Sequence, residues 1–302
     1  MKLPKQFIHN ITQAWGHTGT VWLESLPTIV RYYSSMWQLN NIQTFDNLSY
    51  QYVASAYSDL YSCPVVLKVN ISRIDFGREQ KALNYYNGAC CVKVLTSDNK
   101  YNSLLLEALE PGYSLAVLFP AQDQEATAIT ASVIQKLHTR TIDTHHDYPT
   151  INQWLHLIDT FRHKNMSQAL LSKTSQLAKR LLSTQDKKYL LHGDLHHENI
   201  LFSSSRDWLA IDPKGVVGEL AYEVGAFIRN PIPQLYDQAN KKEIVLNRCI
   251  EFAKLLCIDT QRIIDWSYVQ AVLAACWNLQ DGNQWSGMLT CVEILNEQVS
   301  IK

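Results

Sequence analysis

Hydrophobic and polar residues follow different patterns on the two sides of residue 110. In the first part, apolar residues recur near a helical period over residues 19–40, which predicts a helix. Short runs of β-branched and aromatic residues follow, separated by polar turns, with one further helix at about residues 77–87. We predict strands in this part at residues 42–45, 51–57, 64–69, 91–95 and 103–108.

After Gly112 the pattern becomes mostly helical, and residues 189–212 are its one β interruption. Helices are predicted at about residues 124–140, 151–163, 166–184, 218–229, 241–256 and, in pieces, 265–299. The chain is therefore predicted to be α+β. A small β-rich lobe at residues 1–110 and a larger helical lobe at 111–302 are typical of kinases, which hold ATP in the cleft between their lobes.

Composition and charge narrow the class of protein. Of the 302 residues 46% are apolar, which supports a substantial core, and the net charge of −1 gives no basic field for nucleic acid or an anionic membrane. No apolar run approaches the ~18 residues of a membrane helix. The first ten residues lack the apolar stretch of a signal peptide, and none of the seven cysteines forms a Cys-x-x-Cys zinc pair. We expect a soluble, cytoplasmic protein.

The segment that ends at Asp212 carries the most specific chemistry in the chain. It contains His192-x-Asp194, then Asn199 five residues after that aspartate, and Asp212 thirteen residues further on. This is the spacing of a kinase catalytic loop followed by its metal-binding turn. Asp194 could receive the proton of an acceptor hydroxyl, while Asn199 and Asp212 could hold magnesium against the phosphates of ATP.

An ordinary hairpin with polar ends is the alternative interpretation, because Asp and Asn favour turns. We predict that the hairpin is real and also functional, with a strand at residues 200–202, a turn at 203–207 and a return strand at 208–211. A hairpin of this length brings Asn199 and Asp212 to the same end, as shared metal coordination requires.

Lys68 is the candidate for holding the nucleotide. It lies inside the apolar strand Val65-Val66-Leu67-Lys68-Val69, where an ammonium group is costly to bury without a partner. Glu79, eleven residues later in the next helix, is the expected ion-pair partner. The alternative is a lysine that extends along an edge strand to solvent, beside a surface glutamate.

The other segments expected to contact the nucleotide carry less specific sequence motifs. Residues 40–70 contain no Gly-x-Gly-x-x-Gly, so the hairpin with Ser49 is the candidate phosphate-covering loop, although a plain β-turn fits equally well. The segment Glu107-Ala108-Leu109-Glu110 is expected to be the hinge whose backbone bonds the adenine edge.

Other polar residues are interpreted without a catalytic role. His145-His146-Asp147 is interpreted as a polar loop, His138 as a packed helix residue, and Arg229 as a helix end.

Taken together, these motifs resemble the aminoglycoside phosphotransferases, and most closely the aminoglycoside 6-phosphotransferase (streptomycin kinase) and hydroxyurea-resistance kinase group. The resemblance covers roughly residues 4–300, and its most particular parts are the double histidine and the Asp-Pro-Lys-Gly segment. The narrower match runs through Trp22-Leu-Glu-Ser-Leu-Pro27, Val65-Val-Leu-Lys68, Pro111-Gly-Tyr-Ser-Leu115, His192-Gly-Asp-Leu-His-His-Glu-Asn-Ile-Leu201 and Ile211-Asp-Pro-Lys-Gly215.

The resemblance implies a protein-kinase-like fold and ATP-dependent O-phosphorylation of a small hydroxylated molecule. It also implies Asp194 as the catalytic base, Asn199 and Asp212 as Mg²⁺ ligands, and His192 as a structural member of the loop. The chain departs from the wider family at Glu219, where an aspartate is expected.

A cationic substrate such as an aminoglycoside would need carboxylates beside Asp194. The candidates are Glu219 and Glu223, one turn apart on the predicted helix after Asp212, and Asp281 with Trp285, whose indole could stack on a guanidinium. The alternatives are a solvated helix start for the two glutamates and a helix-capping turn for Asp281.

We therefore expect an ATP- and Mg²⁺-dependent phosphotransferase that inactivates an aminoglycoside such as streptomycin. Three alternatives remain: a kinase of an endogenous alcohol or amino alcohol, a catalytically silent nucleotide-binding pseudokinase, and a protein kinase. Retention of Lys68, Asp194, Asn199 and Asp212 argues against a pseudokinase. Asp-Pro-Lys in place of Asp-Phe-Gly argues against a protein kinase.

Overall fold

Gly112 is the boundary between two compact units in the computed structural model of the protein, one of residues 1–112 and one of residues 113–302. The structure describes residues 2–139, 141–142, 147–185, 187–282 and 285–299. The predicted loop residues His145 and His146 lie outside the described residues. No helix in the described ranges is both long enough and apolar enough to cross a membrane.

The first unit begins with a long helix, α1 (Lys5–Met36), which is kinked at Gly16. Gly16 has φ +54°, a backbone conformation that glycine adopts without steric cost. A Cβ on Gly19 would lie 2.5 Å from the Ile11 carbonyl oxygen, so the glycine permits a close approach across the kink. The predicted helix at residues 19–40 is wrong at both ends. Gln38, with φ +50°, turns the chain into the first strand.

A five-stranded antiparallel sheet forms the rest of this unit's framework, with the order β1-β2-β3-β5-β4. Its strands are β1 (Leu39–Thr44), β2 (Gln51–Ser58), β3 (Cys63–Asn70), β4 (Val94–Asp98) and β5 (Ser103–Glu107). The predicted starts of two strands are wrong by three residues: β1 begins three residues before residue 42, and β4 begins three residues after residue 91. Val65, Leu67 and Val69 of β3 are fully buried in the core.

Helix α2 (Arg73–Tyr86) connects β3 to β4. Ser72 caps its N-terminus by accepting a hydrogen bond from the Asp75 amide at 3.2 Å. The helix ends at Asn87, which adopts a left-handed conformation with φ +47°. Strand β6 (Pro111–Ser114) then leads into the second unit.

The second unit is mainly helical. Its helices are α3 (Asp123–Leu137), α4 (Ile151–Thr160), α5 (Gln168–Ser183), α6 (Leu220–Glu223), α7 (Gly225–Ile228), α8 (Lys241–Leu256), α9 (Thr260–Gln280) and α10 (Ser286–Asn296). Every residue of α9 from Ile263 to Cys276 is buried, so this helix forms the centre of the unit. The single helix predicted at residues 218–229 is wrong, since it consists of α6 and α7, which meet at Val224.

Four short strands of this unit surround the predicted catalytic segment. They are β7 (Tyr189–Leu191), β8 (Ile200–Ser203), β9 (Asp207–Ala210) and β10 (Val216–Gly218). Strands β8 and β9 form an antiparallel hairpin in which Ile200 pairs with Ala210, which confirms the predicted hairpin. Strand β10, which was not predicted, pairs with β7 and shortens the helix after it.

A buried arginine connects α8 to α3. Arg248 is 1% exposed, and its guanidinium donates to the Asp123 carboxylate at 2.5–3.2 Å. Its Nη1 also donates to the carbonyl oxygens of Phe227, Ile228 and Asn230 at 3.1, 3.1 and 2.5 Å. The same cation thus compensates a carboxylate and satisfies the carbonyl groups at the end of α7.

We predict that Arg248→Met lowers the free energy of unfolding by about 3–5 kcal/mol, because it leaves the Asp123 carboxylate without its partner in a largely buried place. Urea titration followed by circular dichroism measures the loss. Lys242→Met is the control: the Lys242–Glu297 pair has side chains 53% and 59% exposed and should contribute less than about 1 kcal/mol. Equal losses in the two variants would contradict the argument.

Candidate active site

The predicted catalytic loop begins directly after β7 and ends in a short 3-10 helix, His197–Asn199. Gly193 has φ +83°. A Cβ there would lie 2.9 Å from both the Trp154 and the Val216 side chains. A side chain at residue 193 is therefore excluded by conformation and by space, and the backbone passes closely beneath Trp154.

Glu223 holds the start of this loop. Its carboxylate is fully buried and accepts hydrogen bonds from the His192 amide at 2.7 Å and the Gly193 amide at 2.9 Å. His138 Nε2 lies 3.3 Å from the same carboxylate. Burial alone would raise the pKa of Glu223, but the bonds with His138 and the Gly193 amide, together with the nearby imidazoles, outweigh it and hold the pKa below its ordinary value. The predicted substrate role of Glu223 is wrong, because the carboxylate is occupied inside the unit.

His192 links the loop to the segment around Asp212. Its Nε2 donates to the Ile211 carbonyl at 2.6 Å, and its Nδ1 accepts from the Asp194 amide at 3.3 Å. The Lys214 amide donates to the His192 carbonyl at 2.8 Å. Burial lowers the pKa of His192, so the ring is neutral and carries its proton on Nε2. These bonds give His192 a structural role, as the resemblance implies.

The hairpin brings Asn199 and Asp212 to the same end. The Ile211 amide donates to the Asn199 carbonyl at 2.9 Å, which places Asp212 one residue beyond this bond. The Asn199 side-chain Nδ2 donates to the Asp194 carbonyl at 2.8 Å, which leaves its Oδ1 as the oxygen suited to a metal. Asp212 has φ +60°, a left-handed conformation that Asp tolerates better than most residues.

Asp194, whose side chain is 30% exposed, lies beside a guanidinium and an imidazole. Arg229 Nη2 lies 3.7 Å and His196 Nε2 lies 4.0 Å from its Oδ1. Burial would raise the pKa of Asp194, but the charges of His196, Lys214 and Arg229 together outweigh it and lower the pKa below the ordinary value. The carboxylate is therefore ionised at neutral pH and remains open to solvent.

Arg229 is the residue of this site that sequence reasoning missed. It was expected only to end a helix, and it does follow α7 directly. Its Nη1 also donates to Gln270 Oε1, and Gln270 is buried in α9, where its own amide donates to the Tyr222 carbonyl at 3.0 Å. No local motif marks this contact, since α7, α9 and the catalytic loop are far apart in the sequence.

The first unit contains the Lys68–Glu79 pair. Lys68 Nζ lies 2.6 Å from Glu79 Oε1, and the two side chains are 2% and 5% exposed. Lys68 is in β3 and Glu79 is in α2, so the sheet and its helix present the ammonium and the carboxylate to each other. The structure thus matches the expected pairing and excludes the alternative of a lysine that reaches solvent.

The other residues of this unit that are predicted to contact the nucleotide lie at a strand end or in connecting segments. Ser49 is exposed between β1 and β2, and its carbonyl accepts a hydrogen bond from the α1 residue Asn10 at 3.2 Å. Glu107 ends β5 and accepts a bond from the Lys93 amide at 2.8 Å. Leu109 comes two residues after it, and its carbonyl oxygen would lie 2.5 Å from a Cβ on Gly112. Their contacts with a nucleotide remain predictions.

The predicted substrate role of Glu219 is also wrong. Its carboxylate forms a bidentate salt bridge with Arg262, with both N–O distances at 2.7 Å. It also accepts a hydrogen bond from the Trp266 indole. The residue is 8% exposed. A glutamate satisfied in this way is part of the connection between the start of α6 and α9, not a free ligand for a cation.

Asp281 and Trp285 remain candidates for contact with substrate. Asp281 follows α9 and is exposed, and Trp285 precedes α10 and is partly exposed. Asn283 and Gln284, which lie between them in the sequence, are outside the described residues.

Among the described residues, no group of three or more His, Cys, Asp or Glu side chains is arranged to hold a metal ion. Mg²⁺ does not require such a cage, because it is usually held by one or two carboxylates together with substrate phosphates and water. One carboxylate from Asp212 and one amide oxygen from Asn199 fit that mode of binding.

We predict that Glu223→Gln lowers the free energy of unfolding by about 1.5–3 kcal/mol at pH 7, because bonds from two amides to a charged acceptor are weakened. The pKa of Glu223 in the folded protein lies below its ordinary 4.5. Its contribution is thus complete above about pH 4.5 and is lost as pH falls through the folded-state pKa. Urea midpoints should differ most at pH 7 and converge below pH 4.5.

Glu293→Gln is the matched control for this prediction, since it removes an exposed carboxylate from α10. It should leave the midpoint unchanged at both pH values. A difference between wild type and Glu223→Gln that stays constant with pH would show that the charge of Glu223 does not stabilise the loop.

Comparison with known proteins shows the family. The chain matches the model of the aminoglycoside/hydroxyurea antibiotic resistance kinases over residues 54–282, more than half of its length. It is 23% identical over 296 residues to streptomycin 6-kinase of Streptomyces glaucescens, a match that covers 94% of this chain and 92% of that protein. It is 29% identical over 225 residues to streptomycin 3''-kinase of Klebsiella pneumoniae, covering 72% of this chain and 81% of that protein.

A solved structure shows the same fold. A thermostable mutant of aminoglycoside phosphotransferase APH(4)-Ia, in a ternary complex with ADP and hygromycin B, matches with a TM-score of 0.63 at 12% identity, over 90% of this chain and 99% of that one. The predicted α+β, protein-kinase-like fold is confirmed. The chain belongs to the aminoglycoside/hydroxyurea antibiotic resistance kinase family and is a phosphotransferase with an alcohol group as acceptor.

Proposed function

We propose that the protein transfers the γ-phosphoryl group of ATP, with Mg²⁺, to a hydroxyl of a small cationic molecule, with streptomycin or a related aminoglycoside as the best candidate. The observation that carries this proposal is the arrangement of Asp194, Asn199 and Asp212 on one loop and one hairpin, which a side-chain and a backbone hydrogen bond connect. The streptomycin kinases that resemble the chain support the choice of substrate.

Asp194 is proposed to orient the acceptor hydroxyl. Its carboxylate is partly exposed and its pKa is lowered, so it accepts a hydrogen bond well but is a weak base. Phosphoryl transfer passes through a loose transition state, in which bonding to the attacking oxygen is still weak. We therefore propose that the hydroxyl proton moves to Asp194 late, as the new O–P bond forms and the bond to ADP breaks.

Asn199 and Asp212 are proposed to hold Mg²⁺ against the phosphates, where the ion would neutralise the charge on the transferred group. Their backbones are fixed by the Ile211–Asn199 hydrogen bond, and the Asn199 amide is oriented by the Asp194 carbonyl. Asp212 itself has a left-handed backbone, with φ +60°, directly after the hydrogen-bonded Ile211. Preorganised ligands of this kind reduce the reorganisation needed when the nucleotide binds.

Lys68 is proposed to bind the phosphates of the same nucleotide. Glu79 compensates its charge and fixes the direction of its side chain, because the pair is buried at 2.6 Å. We propose that the Ser49 loop covers the phosphates and that the backbone of Glu107 to Leu109 bonds the adenine edge. Structures of the fold with bound ADP support nucleotide binding of this general kind.

We predict that Asp194→Asn lowers kcat at least about 100-fold, because the amide cannot accept the hydroxyl proton. Purified protein with ATP and Mg²⁺ is assayed by ATP consumption and mass spectrometry of the products. The acceptor panel is led by streptomycin and includes other aminoglycosides, hydroxyurea, amino alcohols and sugars. The wild type should yield streptomycin heavier by one phosphoryl group.

Asp237→Asn, which neutralises an exposed carboxylate in the loop before α8, is the control and should keep full activity. The nucleotide Kd of Asp194→Asn should stay near that of the wild type. Undiminished turnover in Asp194→Asn would contradict the proposed role. ATP binding without reaction of any panel member would overturn the proposed substrate class.

We predict that Arg229→Met shifts the acidic limb of the pH profile of kcat/KM to higher pH. Arg229 is one of the charges that lower the pKa of Asp194, so its removal raises that pKa and protonates Asp194 at a higher pH. The variant should lose more activity at pH 5 than at pH 8. Lys187→Met removes an exposed charge of the same unit and should not move the limb. A limb that moves to lower pH would contradict the argument.

A further inference from the structure

Two tryptophans lie beside the catalytic loop without a part in the transfer of the phosphoryl group. Trp154, in α4, contacts the backbone at Gly193, the residue that precedes Asp194 in the sequence, because a Cβ at residue 193 would meet its ring at 2.9 Å. Trp277, in α9, meets Trp154 edge to face, with ring centroids 5.5 Å apart and an interplanar angle of 83°. We call these two residues the tryptophan pair.

The tryptophan pair lies where α9 leaves the core. All residues of α9 from Ile263 to Cys276 are buried, and Trp277 is the residue at which the helix becomes partly exposed. Trp154 is also partly exposed, although α4 buries Ile151, Leu155 and Ile158. Both tryptophans are therefore only partly buried, unlike the core residues of the two helices that carry them.

A carboxylate lies one helical turn beyond this pair. The Asp281 amide donates to the Trp277 carbonyl at 3.0 Å, so Asp281 directly follows the tryptophan pair at the C-terminal end of α9. The surrounding protein partly desolvates the Asp281 carboxyl and raises its pKa, even though the residue is exposed. A cation placed beside it would offset that cost, and the negative end of the helix dipole adds to the attraction.

Aromatic faces next to a carboxylate form a binding site for organic cations. The indole ring attracts a guanidinium or ammonium group more strongly than other aromatic rings, and a guanidinium can also stack flat against it. Trp154 contacts Gly193, the residue before Asp194, so the tryptophan pair adjoins the loop that carries the proposed catalytic carboxylate. A neutral sugar would gain little from this combination of groups.

We infer that the tryptophan pair and Asp281 form a subsite that binds a guanidinium or ammonium group of the acceptor and so directs a neighbouring hydroxyl to Asp194. This inference rests on the proposed function and names the part of the site that selects a cationic substrate. The subsite takes the place of the carboxylates of Glu219 and Glu223, which the structure uses elsewhere.

The inference is tested with the full chain through Trp277→Leu, Trp277→Phe and Asp281→Asn, with Glu293→Gln as the control. For streptomycin, Trp277→Leu and Asp281→Asn should raise KM by roughly 3- to 30-fold. The kcat at saturation and the nucleotide Kd should stay near the wild-type values, because the subsite binds the ground state and the transition state alike. Trp277→Phe should fall between the wild type and Trp277→Leu.

Methylguanidinium chloride provides a second measurement, with N-methylurea as its neutral counterpart of similar shape. Methylguanidinium should compete with streptomycin but not with ATP, and N-methylurea should not compete. Its inhibition constant should rise in Trp277→Leu and Asp281→Asn but not in Glu293→Gln. If Trp277→Leu fails to fold, Trp277→Phe and Asp281→Asn carry the test, since Phe keeps an aromatic ring and Asn keeps the shape of Asp.

Three results would overturn the inference: an unchanged KM in all folded variants, equal effects of Trp277→Leu and Trp277→Phe, or equal inhibition by methylguanidinium and N-methylurea. Failure of the proposed function is distinguishable from these. If the wild type phosphorylates no acceptor, calorimetric titration of the ATP-loaded protein with methylguanidinium still decides the inference. Binding that Asp281→Asn weakens supports the subsite, and absence of binding overturns it.

Discussion

The bonds between the buried Glu223 carboxylate and the His192 and Gly193 amides are the constraint on which the catalytic loop depends. A fully buried carboxylate is costly to keep charged, and here its partners come from the end of α3, through His138, and from the loop itself. Because α6 carries Glu223, the helix fixes where the loop leaves β7. Loss of this contact would leave two backbone donors without partners and the buried carboxylate with His138 alone.

Fixing the start of the loop also fixes the hairpin after it. His192 bonds the Ile211 carbonyl, and the Asn199 carbonyl accepts from the Ile211 amide, so loop and hairpin form one hydrogen-bonded unit. Asp194 extends from this framework with its side chain partly exposed, and Arg229 and His196 approach it from outside the hairpin. Backbone geometry therefore sets where Asp194, Asn199 and Asp212 lie, and the charges of Lys214 and Arg229 help to lower the pKa of the Asp194 carboxyl. This division suits phosphoryl transfer, which depends on positioning and on charge.

The carboxylates of the second unit have different roles because of their partners. Glu219 faces Arg262 and Trp266, and Glu223 faces two amides and an imidazole, so both are used to hold the unit together. Asp281 is exposed beyond the end of α9, beside the tryptophan pair. Membership of the family establishes the class of reaction, whereas the recognition of the acceptor that we propose depends on contacts between α4, α9 and the loop.

The sequence alone determined the hairpin, most helices and the resemblance to kinases, because hydrophobic period, turn residues and the spacing of His192, Asp194, Asn199 and Asp212 are local properties of the chain. The predictions from sequence were wrong where contacts with residues distant in the sequence decide where an element begins or ends. Helix α1 ends at Met36 because Gln38 turns the chain into a strand that pairs with β2, and β10 shortens the helix after it by pairing with β7. Only the tertiary structure decided that Glu223 and Glu219 are buried, that Arg229 reaches Asp194, and that Trp154 meets Trp277. These contacts join helices far apart in the sequence, and neither periodicity nor spacing records which side chains will meet across a packed core.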